Sequence, residues 1–255
     1  MNKALSVALV IGGFFLFWEL CVWLFAVPNY ILPAPSAIAV ELLGHPLWYG
    51  RHALYTIGAC MMGFLLALVI GVAAAIGIVY SKVLENTLYT LLVSLNSIPK
   101  IALAPLFIIW MGTGTSSKVA ISMLIALFAI VIDTVLGLRS VDPDVLELTK
   151  SMKATPFQVL WKVRFPTALP AMFAGMKVAI SLALVGAIAG EFVASQVGLG
   201  YAILTAQGMF QITSVFASIV LLGILGTVLF YLMNVIEHWL VPWHVSQRAG
   251  RTAAH

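Results

Sequence analysis

Six runs of roughly 20 or more apolar residues govern what this chain can fold into. They cover about 4–27, 54–80, 87–111, 118–138, 168–193 and 213–240 of a 255-residue sequence. An α-helix needs ~20 apolar residues to cross the ~30 Å hydrocarbon core of a bilayer. Lipid offers no partner to an unpaired backbone group, so each run is expected to be a helix. Composition agrees: 62% of the residues are hydrophobic and 9% charged, with a mean hydropathy of +1.10. Such a chain has too little polar surface to coat a water-exposed globule. That excludes a soluble enzyme, a disordered protein and a nucleic-acid binder, even with a pI near 9.1. The expected class is an all-α integral membrane protein with six transmembrane helices.

Orientation follows from the basic residues. Lys3, Lys82, Arg139, Lys150, Lys153, Lys162, Arg164, Arg248 and Arg251 fall on the side of the N-terminus, against Arg51 and Lys118 on the other. Basic residues mark the cytoplasmic side, so both termini and the 139–167 connection are expected inside. The first run is longer than the 7–15 residues of a signal-peptide core and reads as a retained helix. Cys21 and Cys60 lie within apolar runs and suggest neither a disulfide framework nor a metal motif. Three parts result: an N-terminal helix and external loop over 1–53, the main transmembrane domain over 54–243, and a cytoplasmic tail over 244–255. The 28–53 connection holds Pro28, Pro33, Pro35 and Pro46, and a short helix is expected after Ser36.

The 139–167 connection is the one strongly charged segment. Asp142-Pro143 reads as a helix start, with Asp as N-cap and Pro at the first helical position. Val145, Leu148 and Met152 then share a face, away from Glu147, Lys150 and Lys153. Thr155 and Gln158, three apart around Pro156, form a capping box for a second helix with Phe157, Leu160 and Trp161 on its apolar side. Pro166 and Pro170 are expected to break that helix before the next span. Two short amphipathic helices of this kind suit either the lipid interface or a groove on a cytoplasmic protein.

Glu147, then Lys153 six positions on, then nine residues to Val163-Arg164-Phe165-Pro166, resembles the EAA signature of permease subunits of type I ABC importers. The signature's alanines are Leu148 and Thr149 here and its glycine is Lys153, so Thr155-Pro156 is expected to supply the turn. Three further segments are similar to the nitrate, sulfonate and taurine branch of that family: Leu32-Pro33-Ala34-Pro35-Ser36, Ser97 to Leu106, and Gly137 to Pro143. So is Gly198-Leu199-Gly200-Tyr201.

The resemblance implies a MetI-like fold with a cytoplasmic coupling helix. It also implies that 54–243 is the importer domain and that a second permease copy completes the translocation pathway. Cytoplasmic ATPase subunits would power transport and an external solute-binding protein would deliver nitrate, a sulfonate such as taurine, or a pyrimidine- or riboflavin-like compound. Residues expected to meet the ATPase are Glu147, Leu148, Lys150, Ser151, Met152, Lys153, Ala154, Thr155, Pro156, Phe157 and Pro166. The location implied is the bacterial inner membrane. The sequence lacks GxxxxGK[ST], the nearest stretch being Gly112 to Lys118, so ATP and Mg²⁺ belong to the partner ATPase. No cofactor and no catalytic residue are expected in this chain itself.

Ionisable residues inside spans are costly and point to function. Lys100, between Pro99 and Pro105, and Glu191 are the pathway candidates, and they also suit a mutual ion pair. Asp133 is a third candidate or a polar contact near the cytoplasmic surface. Glu19, Lys177 and Glu237 read as internal ion pairs or as groups snorkelling to the interface. Gly63, Gly71, Ala75, Gly77, Gly175, Gly186 and Gly190 permit close helix approach, within one subunit or across a homodimer. His45, His52, His238, His244 and His255 lie mostly in loops or at ends and form no facing pair for a haem anchor. An autonomous secondary transporter or channel is the competing function.

Overall fold

The computed structural model describes residues 3–89, 91, 94 and 98–243, and no strand occurs among them. The helices are α1 (Lys3–Leu24), α2 (Pro35–Gly44), α3 (Pro46–Tyr80), α4 (Ala104–Met111), α5 (Thr115–Arg139), α6 (Pro143–Ser151), α7 (Pro156–Val193), α8 (Leu199–Gly208) and α9 (Ile212–Leu240). Of these, α3, α5, α7 and α9 are long and apolar enough to cross a bilayer. The first expected run is helical as α1. The third falls partly outside the described residues, and its described parts are a π-turn at Glu85–Tyr89, a 3₁₀ turn at Lys100–Leu103 and α4. The tail 244–255 lies outside the described residues.

Small residues set the packing of the core. Helix α5 runs between α3 and α7, and Ser122 in its first half is flanked by two glycines. A Cβ on Gly63 of α3 would lie 2.4 Å from Ser122 Oγ, and one on Gly186 of α7 would lie 2.6 Å from its Cα. The Ser122 hydroxyl donates to the Ala183 carbonyl at 2.8 Å. Gly71 meets Ile130, Gly175 meets Asp133 and Gly190 meets Lys118. These glycines therefore serve packing within the chain.

Helix α7 corrects the expectation that Pro166 and Pro170 end a short loop helix. It is continuous over 38 residues, because Leu160–Arg164 winds as a π-turn just before Pro166. The Phe165 N–H reaches back to the Leu160 carbonyl, and this widened turn makes room where a proline ring would meet a tight α-turn. Pro170 sits inside the helix. Lys177 of α7 and Glu237 of α9 form an ion pair at 2.5 Å that ties these spans together. Glu19, by contrast, caps a helix: its carboxylate accepts the Ser36 N–H at 3.0 Å and the Ser36 hydroxyl at 2.6 Å. Those bonds fix the start of α2, which begins at Pro35 without a side-chain cap of its own.

Candidate functional site

Polar chemistry gathers at the two ends of the bundle. At one end lies the charged loop. The Asp142 side chain accepts the Asp144 N–H at 2.9 Å and opens α6 at Pro143. The helix closes in a Schellman arrangement, with Lys153 N–H to the Lys150 carbonyl and Ala154 N–H to the Thr149 carbonyl. Lys153 has φ +52°, so the bend is made there, in a left-handed conformation, and not at Thr155-Pro156. Thr155 and Gln158 then form the expected capping box.

The loop is pinned to the ends of α3 and α5. Tyr80 donates its hydroxyl to the Pro156 carbonyl at 3.2 Å, and Arg164 donates to the Leu138 carbonyl at 2.7 Å while lying 5.8 Å over the Tyr80 ring. Arg139 pairs with Glu85 at 2.8 Å. These contacts hold a crest of apolar side chains outward: Leu148 is 60% exposed, Phe157 69% and Met152 73%. Glu147, Ser151 and Lys153 share that exposed surface.

The opposite end is knit from buried groups. Glu191, 1% exposed, accepts the Thr56 hydroxyl on one oxygen and the Gly200 N–H on the other, each at 2.8 Å. Thr56 in turn accepts the Leu199 N–H at 2.9 Å, and His52 Nδ1 accepts the Gly198 N–H at 2.9 Å. Lys118, fully buried, donates to the Thr113 carbonyl and lies against Gly190. Gly198 has φ +117°, and a Cβ there would fall 2.2 Å from the Glu191 carboxyl carbon. Only glycine satisfies both conditions.

Residues 67–243 match the family described as binding-protein-dependent transport system inner membrane component. The chain belongs to this family. It is a type I ABC importer permease and a multi-pass inner membrane protein. The permease is 35% identical over 247 residues to the riboflavin transport system permease protein RibX of Chloroflexus aurantiacus, covering 95% of this chain and 91% of that one. It is 33% identical over 232 residues to the formylaminopyrimidine transport permease protein ThiX of Halalkalibacterium halodurans, covering 90% and 92%. In fold it resembles a chain of the inward-facing MetNI methionine ABC transporter. The TM-score is 0.69 at 21% identity, covering 77% of this chain and 98% of that one.

Within the permease, the loop residues expected to act together separate into two sets. Glu147, Leu148, Ser151, Met152, Lys153 and Phe157 lie on the exposed crest. Lys150, Ala154 and Pro156 line a cleft of about 300 Å³ with Tyr80 and Arg164. Pro166 lies apart, in a second cleft beside Ser140 and Trp243. Among the charges inside spans, Lys100 lies 5.1 Å from the centre of the Phe128 ring, and Asp133 is half-buried against Gly175.

Sequence reasoning missed several residues. Lys118 reads from the sequence as an external charge, yet it is buried in α5. His52 reads only as one of five histidines that lie mostly in loops or at ends, yet it is buried within α3. Thr56 and Arg164 carried no expectation of a site. The glycines of Gly198-Leu199-Gly200-Tyr201 were the available signal, since paired glycines near a buried carboxylate suggest close backbone approach.

Proposed function

We propose that this permease forms half of a translocation pathway for a small solute and couples it to a separate ATPase through the 139–167 loop. The observation that carries the reading is the exposed apolar crest of Leu148, Met152 and Phe157 beside Glu147, on a loop fastened to the ends of α3 and α5. Apolar anchors with a flanking charge suit a groove on a partner protein. The crest faces the cytoplasm and both termini lie on that side, in keeping with the basic residues around it. Two permease copies, two ATPases and an external binding protein make up the working unit. The solute is a riboflavin- or pyrimidine-like compound, the reading favoured by the names of the relatives; nitrate and sulfonates such as taurine are the other members of the class.

Of the three charged candidates, Lys100 belongs to the pathway. It stands on the 3₁₀ turn Lys100–Leu103 within the third apolar run, and irregular backbone at membrane depth is tolerated where it lines a cavity or is buried in protein. Glu191 is committed to Thr56 and Gly200 and serves structure, while Asp133 packs α5 on α7.

The test is co-purification from the native host in mild detergent with an ATPase assay, comparing the wild type with a Glu147→Ala, Met152→Asp variant. A Walker-motif ATPase is expected with the wild type and absent from the variant. If the variant retains the ATPase, the loop is not the coupling element. If no ATPase accompanies the wild type, an autonomous transporter or channel becomes the better account.

A further inference from the structure

A cleft at the Glu191 end plays no part in the transport reading. It lies between α2, α3, α8 and α9, holds about 390 Å³, and is lined by Trp48, Tyr49, Tyr201 and Glu41, with His45 and Gln211 beside them. Its aromatic lining, Trp48, Tyr49 and Tyr201, is joined through the buried ring of His52 behind it. Trp48 meets Tyr49 edge-on, with centroids 4.8 Å apart at 89°, and meets His52 at 4.3 Å. His52 in turn stacks on Tyr201 at 5.9 Å and 22°. The bond from Gly198 to His52 Nδ1 fastens this wall from behind, so the cleft is formed in advance of any ligand.

Glu41 supplies the charge. One of its oxygens accepts both the Tyr49 hydroxyl at 3.0 Å and the Ser214 hydroxyl at 2.9 Å. Among the described residues no donor bonds to the other oxygen. A half-buried carboxylate beside the rings of one Trp and two Tyr is complementary to an organic cation, because ring faces carry negative charge density. An anion would meet the same carboxylate and be repelled. A divalent metal ion would want several oxygen ligands, and the cleft offers one carboxylate.

We propose that this cleft binds an organic ammonium group of about the size of choline. The group has two possible sources, a dissolved amine or the ethanolamine headgroup of a membrane lipid. The site stands independently of the transport reading.

The experiment titrates the intact permease, in nanodiscs of phosphatidylglycerol alone, with choline and with its neutral isostere 3,3-dimethyl-1-butanol. Binding is read by tryptophan fluorescence, and a Trp48→Leu variant shows which part of the signal comes from the cleft. Choline is expected to bind about tenfold or more tighter than the isostere. In Glu41→Gln choline binding should weaken by about tenfold, at an unchanged melting temperature, because the amide oxygen still accepts from Tyr49 and Ser214. Equal affinity for choline and isostere, or unchanged choline binding by Glu41→Gln, would overturn the proposal. Nanodiscs containing phosphatidylethanolamine separate the sources: weaker apparent choline binding supports the headgroup as occupant, and unchanged binding supports a dissolved amine.

Discussion

At the far end of the bundle Glu191 spends both carboxylate oxygens on donors from α3 and α8, whereas at the loop end the side chains of Leu148, Met152 and Phe157 stand exposed. The far end is held by bonds between residues 135 to 146 positions apart, and one bond of 9. The crest is shaped by bonds spanning two to five residues, and its anchoring to the bundle falls on Tyr80 and Arg164. One region resists change in shape, and the other presents a surface. Substitutions should therefore act on stability at the far end and on association at the loop end.

Gly198→Ala is the most severe way to break this contrast. The added methyl would overlap the Glu191 carboxyl group and force a non-glycine residue into a strained backbone, at about 3 kcal/mol or more. The purified variant should melt well below the wild type in detergent or fail to purify as a monodisperse species. A melting temperature within a degree or two of wild type would show that the far end is not rigid. Glu191→Ala comes next, leaving the Gly200 N–H and the Thr56 hydroxyl without that acceptor, at about 2–4 kcal/mol. Glu191→Gln should cost about half as much, since its amide oxygen can serve one of the two donors. A thermal-unfolding series of the three proteins checks that order.

Lys153→Gly works in the opposite direction at the loop end. Relief of the left-handed lysine should stabilise the loop by about 1 kcal/mol, read as slower amide exchange across Pro143–Ser151. Faster exchange in the variant would mean that the lysine side chain contributes more than its backbone strain. Leu148→Ser should give the smallest stability change, within about 0.5 kcal/mol of wild type, while reducing ATPase co-purification. A large fall in melting temperature would instead place Leu148 in the packing of the bundle.

What could be read from the sequence follows the same division. Asp142-Pro143 and the Thr155–Gln158 box announced their helices because capping chemistry acts over two or three residues. The long apolar runs announced α3, α5, α7 and α9 through length alone. Lys118 looked external because it stands at the edge of its apolar run, just after the polar Gly112–Ser117 stretch, and its burial depends on Thr113 and Gly190. His52 and Thr56 are ordinary in their own helix and acquire meaning only from the 198–200 turn. The prolines misled for a different reason: Pro166 breaks an α-turn, but the π-turn ahead of it adds the residue that lets the helix go on.

That extra residue has a mechanical consequence. It makes the loop's second helix and the following span one continuous helix, about 57 Å long at 1.5 Å per residue, with the Thr155 cap at its foot and Glu191 two residues from its top. A tilt of about 5° about the foot carries the top of such a rod sideways by about 5 Å, and the groups clasping Glu191 must travel with it or let go.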